Sequence, residues 1–276
     1  MKSLRELFAS LARPALGAWI KLPGAESCEI LAQSGFDFLV IDLEHSQLSL
    51  DAAFRLITTT SLAGLPAVVR LPELDRVSYQ KLLDSGASGI LAPQLDTVAD
   101  VELGLSFSRY PPLGLRGFST TTRAGKWGIR SMAEHVRRSN EEITFIPQLE
   151  SRAALENVED IVSIDGLDAI FVGRADLSVS MGVSGESPIL GRLVSDAIAV
   201  CQSRQVLVGT AVSDLVGANA RAGDGFDFIV VGDDASMLAT SARGTAQEMR
   251  SAFATRGGPD VTQQTLSAGD HLGGQA

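Results

Sequence analysis

The feature that most narrows what this chain can fold into is a recurrence: apolar runs of strand length, each followed by a segment of helical periodicity. Such runs fall at residues 16–20, 38–42, 67–70, 89–93, 143–150, 169–173, 206–211 and 228–232. Eight strand-then-helix units in that order predict an α/β protein of the (β/α)8 barrel type, because a doubly wound sheet rarely takes so many repeats without a break. A short helix near residues 3–11 precedes the first run. Glycines at 35, 86, 166 and 225 stand just before later strands, where a left-handed C-cap turns the chain back into the sheet. No Pro/Ser-rich linker or charge run interrupts the pattern before about Arg256, so residues 1–256 read as one barrel domain. Residues 257–276, rich in Gly, Gln, Ser, Thr and Asp, read as a polar flexible tail.

Two stretches resist the scheme. Pro147 lies inside the fifth run, where every strand of a closed barrel is central, so a bulge or a late strand start is expected there. The connection from Arg109 to Asn140 is far longer than its neighbours and is expected to serve as a lid, a binding loop or a subunit contact.

Composition bounds the partners. A chain of 276 residues with 45% hydrophobic content suffices for one barrel of about 250 residues. The net charge of -10 argues against nucleic acid and anionic membrane surfaces, since the field repels phosphate. Any acidic substrate must be drawn in by local cations or a metal. No apolar run approaches the roughly 20 residues of a membrane span, and the N-terminus lacks a secretory pattern. With Cys28 and Cys201 inside apolar helical patterns, a reducing cytoplasm is the expected setting.

Chemistry in such a barrel belongs at the C-terminal strand ends. The second run ends abruptly in Asp42, Glu44 and His45, and of the three histidines only His45 directly follows a strand; His135 sits in a charged helical stretch and His271 in the tail. The third run ends in Arg70, the fifth in Gln148 and Glu150, and the sixth leads through Gly173, Arg174 and Ala175 to Asp176. Period-two alternation puts Gln148 with Glu150, and Val68 with Arg70, on common faces. Glu150 and Asp176, with no cysteine or second histidine nearby, form an oxygen pair suited to Mg2+, Mn2+ or a similar divalent ion. Taken singly, each carboxylate also reads as a helix cap, Arg70 as an internal ion-pair partner and His45 as structural. Their joint placement at strand ends favours a site.

The segments Gly17-Ala18-Trp19, Phe36 through His45, Val69-Arg70, Tyr110-Pro111-Pro112-Leu113-Gly114-Leu115-Arg116-Gly117, Gln148 through Ala153 and Phe171 through Ser178 resemble the HpcH/HpaI-type class II pyruvate aldolases. The similarity runs in order from about Gly17 to Phe253, and macrophomate synthase and the citrate lyase beta subunit are relatives of that group. It implies a carbon–carbon lyase making or cleaving 4-hydroxy-2-oxo acids, with pyruvate and an aldehyde as partners and Mg2+, Mn2+ or Co2+ as cofactor. By the same resemblance, Glu150 and Asp176 correspond to metal ligands, His45 to the acid/base and Arg70 to the residue facing the pyruvate oxygen. Asp42 and Asp84 match carboxylates that support the histidine, Gln148 a pyruvate contact, and Gly173, Arg174 and Ala175 the turn that holds the substrate carboxylate. The resemblance further implies a homo-oligomer, a hexamer or trimer of dimers, with the last helix exchanged between subunits and the loop near Arg123 reaching a neighbour's site. Arg174 stands where relatives usually carry proline; it is expected either to face solvent or to reach the mouth of the site and favour an acidic acceptor.

Other readings stay open on the sequence. A Schiff-base aldolase would need a lysine at a strand end, and only Lys21 is well placed. Phosphorylated substrates are disfavoured, because the last strand ends in Gly232-Asp233-Asp234. A lyase acting on a CoA thioester, or a keto-acid-binding protein without turnover, would share most of the same residues.

Overall fold

A computed structural model of the chain describes residues 3–221 and 223–255. These fall into two units that divide between Ala235 and Ser236. The first begins with α1 (Leu4–Ser10), β1 (Ala15–Ile20), α2 (Ala25–Gln33), β2 (Phe38–Asp42), α3 (Leu50–Leu62), β3 (Ala67–Arg70) and α4 (Arg76–Asp84). It continues through β4 (Gly89–Ala92), α5 (Val98–Ser108), α6 (Met132–Glu142), β5 (Thr144–Leu149), α7 (Arg152–Glu156), α8 (Val158–Ile161) and β6 (Ala169–Val172). Next come α9 (Arg174–Ser180), α10 (Pro188–Arg204), β7 (Leu207–Val212), α11 (Leu215–Arg221) and β8 (Phe228–Asp233). All eight strands are parallel and close in sequence order, β8 pairing back to β1, as a (β/α)8 barrel requires. The second unit holds most of α12 (Asp234–Thr255), a helix that leaves Met237, Leu238, Met249 and Phe253 exposed.

Alternation along the strands sorts apolar side chains into two cores. Leu39, Ile41, Val69, Ile90, Phe145 and Val208 join helix residues such as Leu56, Leu82 and Ile198 in the larger one. Trp19, Val40, Val68, Ile146, Phe171 and Val230 fill the barrel interior, together with Leu4 and Phe8 of α1. Helix α1 can form there because Ser3 and Glu6 close a reciprocal capping box at its start. Its Phe8 stacks on Phe228 at 4.5 Å and meets Phe38 edge-on at 5.1 Å. Glycine makes room for these rings: a Cβ at Gly17 would lie 2.4 Å from Phe38, and one at Gly209 would lie 2.1 Å from Phe228.

The turn glycines behave as their positions imply, with Gly35, Gly86, Gly166 and Gly225 at φ 91°, 95°, 82° and 96°. Pro147 does not produce a bulge. It pairs in regular register with Ala92 of β4, and the ladder to β6 starts only at Gln148, so the missing N–H falls where no β6 partner is waiting. The register shift lies instead between Gly17 and Trp19, on the β1–β8 seam.

The long connection after α5 emerges where the helices return to the N-terminal face, opposite the strand ends. Its Arg116 pairs with Asp84 at 2.8 Å and lies over the Tyr110 ring at 4.5 Å, while the Tyr110 hydroxyl meets His135 Nε2 at 3.1 Å. His135 is thus a fully buried member of a charged helix, set on its inner face. The expected tail at 257–276, with His271, lies outside the described residues.

Candidate active site

The C-terminal end of β2 is an ion-pair centre. Asp42 and Arg70 are register partners on β2 and β3, and the Asp42 carboxylate takes Arg70 Nε at 2.9 Å and Nη2 at 2.7 Å. The same carboxylate accepts the backbone N–H groups of Glu44 and His45, each at 3.1 Å, which fixes the turn that leaves the strand. Burial alone would push the Asp42 carboxyl up, but hydrogen bonding and charge from Arg70, the His45 amide and Lys21 hold it below the usual carboxylate range. Trp19 of β1 covers the guanidinium, 4.1 Å from the ring centroid, so Arg70 is 8% exposed.

His45 stands beyond this centre with its side chain 59% exposed and Nε2 3.8 Å from Glu44 Oε2. Its ring is therefore neighboured by Glu44, whereas Asp42 holds its backbone. Glu44 Oε2 is buried, 3.1 Å from Arg70 Nη1 but without an aligned hydrogen-bond donor. Burial raises the Glu44 carboxyl, Arg70 and His45 pull it down, and Asp42 and Asp176 push it up again.

The second group comes from β5 and β6. Glu150 accepts the Gln94 N–H at 2.8 Å and a hydrogen bond from the Gln148 carboxamide, whose Oε1 is left buried without a partner. Gln94 follows β4 in a left-handed conformation, φ 58°, which is the backbone setting in which its amide reaches Glu150. Gly173 lets β6 approach: a Cβ there would lie 2.9 Å from Glu150 Cβ. Its own N–H bonds the Leu149 carbonyl at 3.0 Å, and α9 begins immediately after it, so Arg174, Ala175 and Asp176 lie in a first turn whose amides have no partner within the helix. Burial raises the Glu150 carboxyl; its hydrogen bonds to Gln148 and Gln94 oppose that, and the charges of Glu44 and Asp176 add to it.

Three carboxylates from three strand ends thus act on one another unfavourably, which is the electrostatic condition a bound cation relieves. Among the described residues no group of three His, Cys, Asp or Glu side chains closes on a point by itself. A divalent ion at Glu150 and Asp176 would have two carboxylates to bind, and water and substrate oxygens would have to complete the shell, as is usual for Mg2+-type sites.

The remaining expected residues lie elsewhere in the chain. Asp84 closes α4 at its exit toward β4 and is paired with Arg116. Arg123 donates from Nε to Thr58 Oγ1 at 3.2 Å, against α3, and packs beside Gly86. The Arg174 guanidinium donates to the Gly185 carbonyl at 3.1 Å, and the charges acting on it are Arg221, Asp224 and Glu186. Three contributors had no expected role. Trp19 and Gln94 carried no signal beyond standing at strand ends. Asp234 lies in the Gly232-Asp233-Asp234 stretch, and its buried carboxylate takes the N–H groups of Lys21 and Leu22 at 2.8 and 3.2 Å.

The chain is similar along most of its length to known proteins. Residues 15–241 match the family described as HpcH/HpaI aldolase/citrate lyase. A hydroxypyruvate/pyruvate aldolase of Rhizorhabdus wittichii is 32% identical over 242 residues, spanning 86% of this chain and 95% of that protein. A 4-hydroxy-2-oxo-heptane-1,7-dioate aldolase of Klebsiella pneumoniae is 32% identical over 237 residues, 85% of this chain and 89% of that one. The crystal structure of a HpcH/HpaI aldolase/citrate lyase family protein from Burkholderia cenocepacia superposes with a TM-score of 0.84 at 29% identity, covering 91% of this chain and all (100%) of the other.

Proposed function

The chain belongs to the HpcH/HpaI aldolase/citrate lyase family, and on that premise we propose that it is a class II pyruvate aldolase, dependent on a divalent ion, that cleaves or forms 4-hydroxy-2-oxo acids. The observation that carries this reading is the convergence of Arg70, His45, Glu44 and Glu150 on one end of the barrel, with Asp176 in the turn after β6.

Cleavage of the C3–C4 bond needs a base for the 4-hydroxyl proton and a positive environment for the electrons released. His45 is the base: its side chain is exposed to an incoming ligand, and its backbone is held by Asp42. As it takes the proton, the C4–O bond becomes a carbonyl, the aldehyde departs, and the C3–C4 pair moves into the enolate of pyruvate. Arg70 faces that oxygen. Its contacts with Asp42 use Nε and one N–H of Nη2, so further N–H donors remain for a developing oxyanion. The buried pair with Asp42 keeps the guanidinium from turning away as charge develops. A divalent ion held by Glu150 and Asp176 would supply Lewis-acid stabilisation of the same enolate. Gln148 lies beside this pair as a pyruvate contact, and the first-turn amides at Arg174 and Ala175 suit the keto acid's carboxylate. Return of a proton to C3 then gives pyruvate.

The family's oligomeric habit belongs to the same proposal. Exchange of α12, with its exposed Met237, Leu238, Met249 and Phe253, between copies of the chain would cover those residues, and the loop near Arg123 would act toward a neighbour's site. No helix among the described residues is long and apolar enough to cross a membrane, and the two buried free cysteines suit a reducing cytoplasm. The test is a retro-aldol screen over 4-hydroxy-2-oxo acids with lactate-dehydrogenase detection of pyruvate, run after EDTA treatment and with Mg2+, Mn2+ or Co2+ restored. Pyruvate release that needs the ion is expected; full turnover by metal-free protein overturns the mechanism.

A further inference from the structure

Resting on the aldolase reading for the place of the keto acid, we propose that Lys21 selects the acceptor: its ammonium binds a carboxylate at the far end of the substrate.

Lys21 directly follows β1, two positions after Trp19, and so continues the inward-facing side of that strand into the mouth of the barrel. In a closed ring of eight strands β1 stands opposite β5, which carries Glu150. A substrate whose keto-acid end lies at β5 and β6, with its 4-hydroxyl at His45 on β2, runs onward toward β1. The root of the side chain is fixed, because the amides of Lys21 and Leu22 both bond the buried Asp234 carboxylate.

The head of the side chain is close to a carboxylate without being consumed by it. Nζ lies 3.6 Å from Asp42 Oδ2, beyond hydrogen-bond reach. Of the hydrogen bonds Asp42 accepts, those from Arg70 Nε and the Glu44 and His45 amides fall on Oδ1, while Oδ2, the oxygen nearest Lys21, is already taken by Arg70 Nη2 at 2.7 Å. Charge keeps the ammonium in place while its donors stay available to a ligand. The side chain is 29% exposed, against 8% for Arg70, so an incoming group can reach it. The other cations have different work: Arg70, held by Asp42 under Trp19, keeps its remaining donors for the enolate oxygen, and Arg174 donates to the Gly185 carbonyl. In a chain of net charge -10, such a cation is what makes an anionic acceptor bindable.

The experiment compares kcat/KM for addition of pyruvate to succinic semialdehyde and to uncharged butyraldehyde, using the full chain with Mn2+, as wild type, Lys21→Met and Lys21→Arg. The wild type should prefer the acidic aldehyde, and Lys21→Met should lower that preference about tenfold or more, chiefly through KM. Lys21→Arg should keep most of it, and high salt should shrink the wild-type preference. A ratio unchanged in Lys21→Met, equal losses on both aldehydes, or covalent trapping of Lys21 by pyruvate and borohydride each overturns the inference. Exchange of the pyruvate methyl protons into D2O, followed by NMR, separates the two layers. If the wild type with Mn2+ shows no exchange, the aldolase reading itself fails. If exchange proceeds and the ratio does not move, only the role of Lys21 falls.

Discussion

Replacing Asp42 by Asn is the most searching test of how the site is held. The side chains are nearly isosteric, so packing changes little, but the amide can accept at only one of its two atoms. With Oδ1 kept toward Arg70 Nε and the Glu44 and His45 amides, Nδ2 would oppose Arg70 Nη2, now 2.7 Å from Oδ2, as donor against donor. The guanidinium, 8% exposed beneath Trp19, would then hold a buried charge countered only by Glu44 at 3.1 Å. Removing one partner of a buried pair typically costs about 3–5 kcal/mol; with Glu44 remaining, the lower end, about 3 kcal/mol, applies. For a chain of this size that corresponds to a fall in Tm of roughly 6–12 °C. Urea unfolding followed by circular dichroism reads the first number and a thermal melt the second. Glu44→Gln, which leaves the bidentate pair intact, should cost clearly less. A loss below about 1 kcal/mol for Asp42→Asn would mean that the pair is solvent-screened in practice, and the account of Arg70 as a preorganised cation would fail.

Other consequences are equally direct. Glu150→Ala should abolish both turnover and its dependence on added divalent ion while leaving the melt cooperative, and titration with Mn2+ followed by electron paramagnetic resonance should show binding lost in the variant. Gly209→Ala places a Cβ 2.1 Å from the Phe228 ring in the barrel interior, so overpacking of about 1–3 kcal/mol should appear in urea unfolding, and an unchanged midpoint would show that the interior yields. His135 is fully buried, and burial, then Arg116 and Arg130, lower its pKa below that of the unfolded chain. As pH falls below about 6.5 the unfolded state therefore takes the proton first, so stability should decline by up to about 1.4 kcal/mol per pH unit until the folded-state pKa is reached. Above about pH 6.5 this histidine contributes no slope, and His135→Gln should flatten the acid limb in pH-dependent denaturation.

The barrel was legible in the sequence because periodicity is a local property. A continuous apolar run of strand length, a helix-period segment after it and a glycine before the next strand are each local patterns set over a few residues, and all eight strands lie where those patterns place them. The same locality placed Arg70, Gln148 and Glu150 at strand ends, with Gln148 and Glu150 on one face, and Asp176 in the following turn.

Partner choice was not legible, because it depends on register and on rotation around a closed ring. That Asp42 meets the Arg70 guanidinium, and only the backbone of His45, follows from β2–β3 pairing set by packing that no single strand contains. That Pro147 is tolerated depends on where β6 begins its ladder, and that His135 is a core residue depends on which face of α6 the Tyr110 loop covers. Arg174 turns toward the Gly185 carbonyl because that oxygen is supplied by a loop 11 residues away. The sequence by itself determined the architecture and the chemical types gathered at its mouth. Only the tertiary structure decided which charges neutralise one another there, since electrostatic pairing is settled over distances of a few ångströms between segments far apart in the chain.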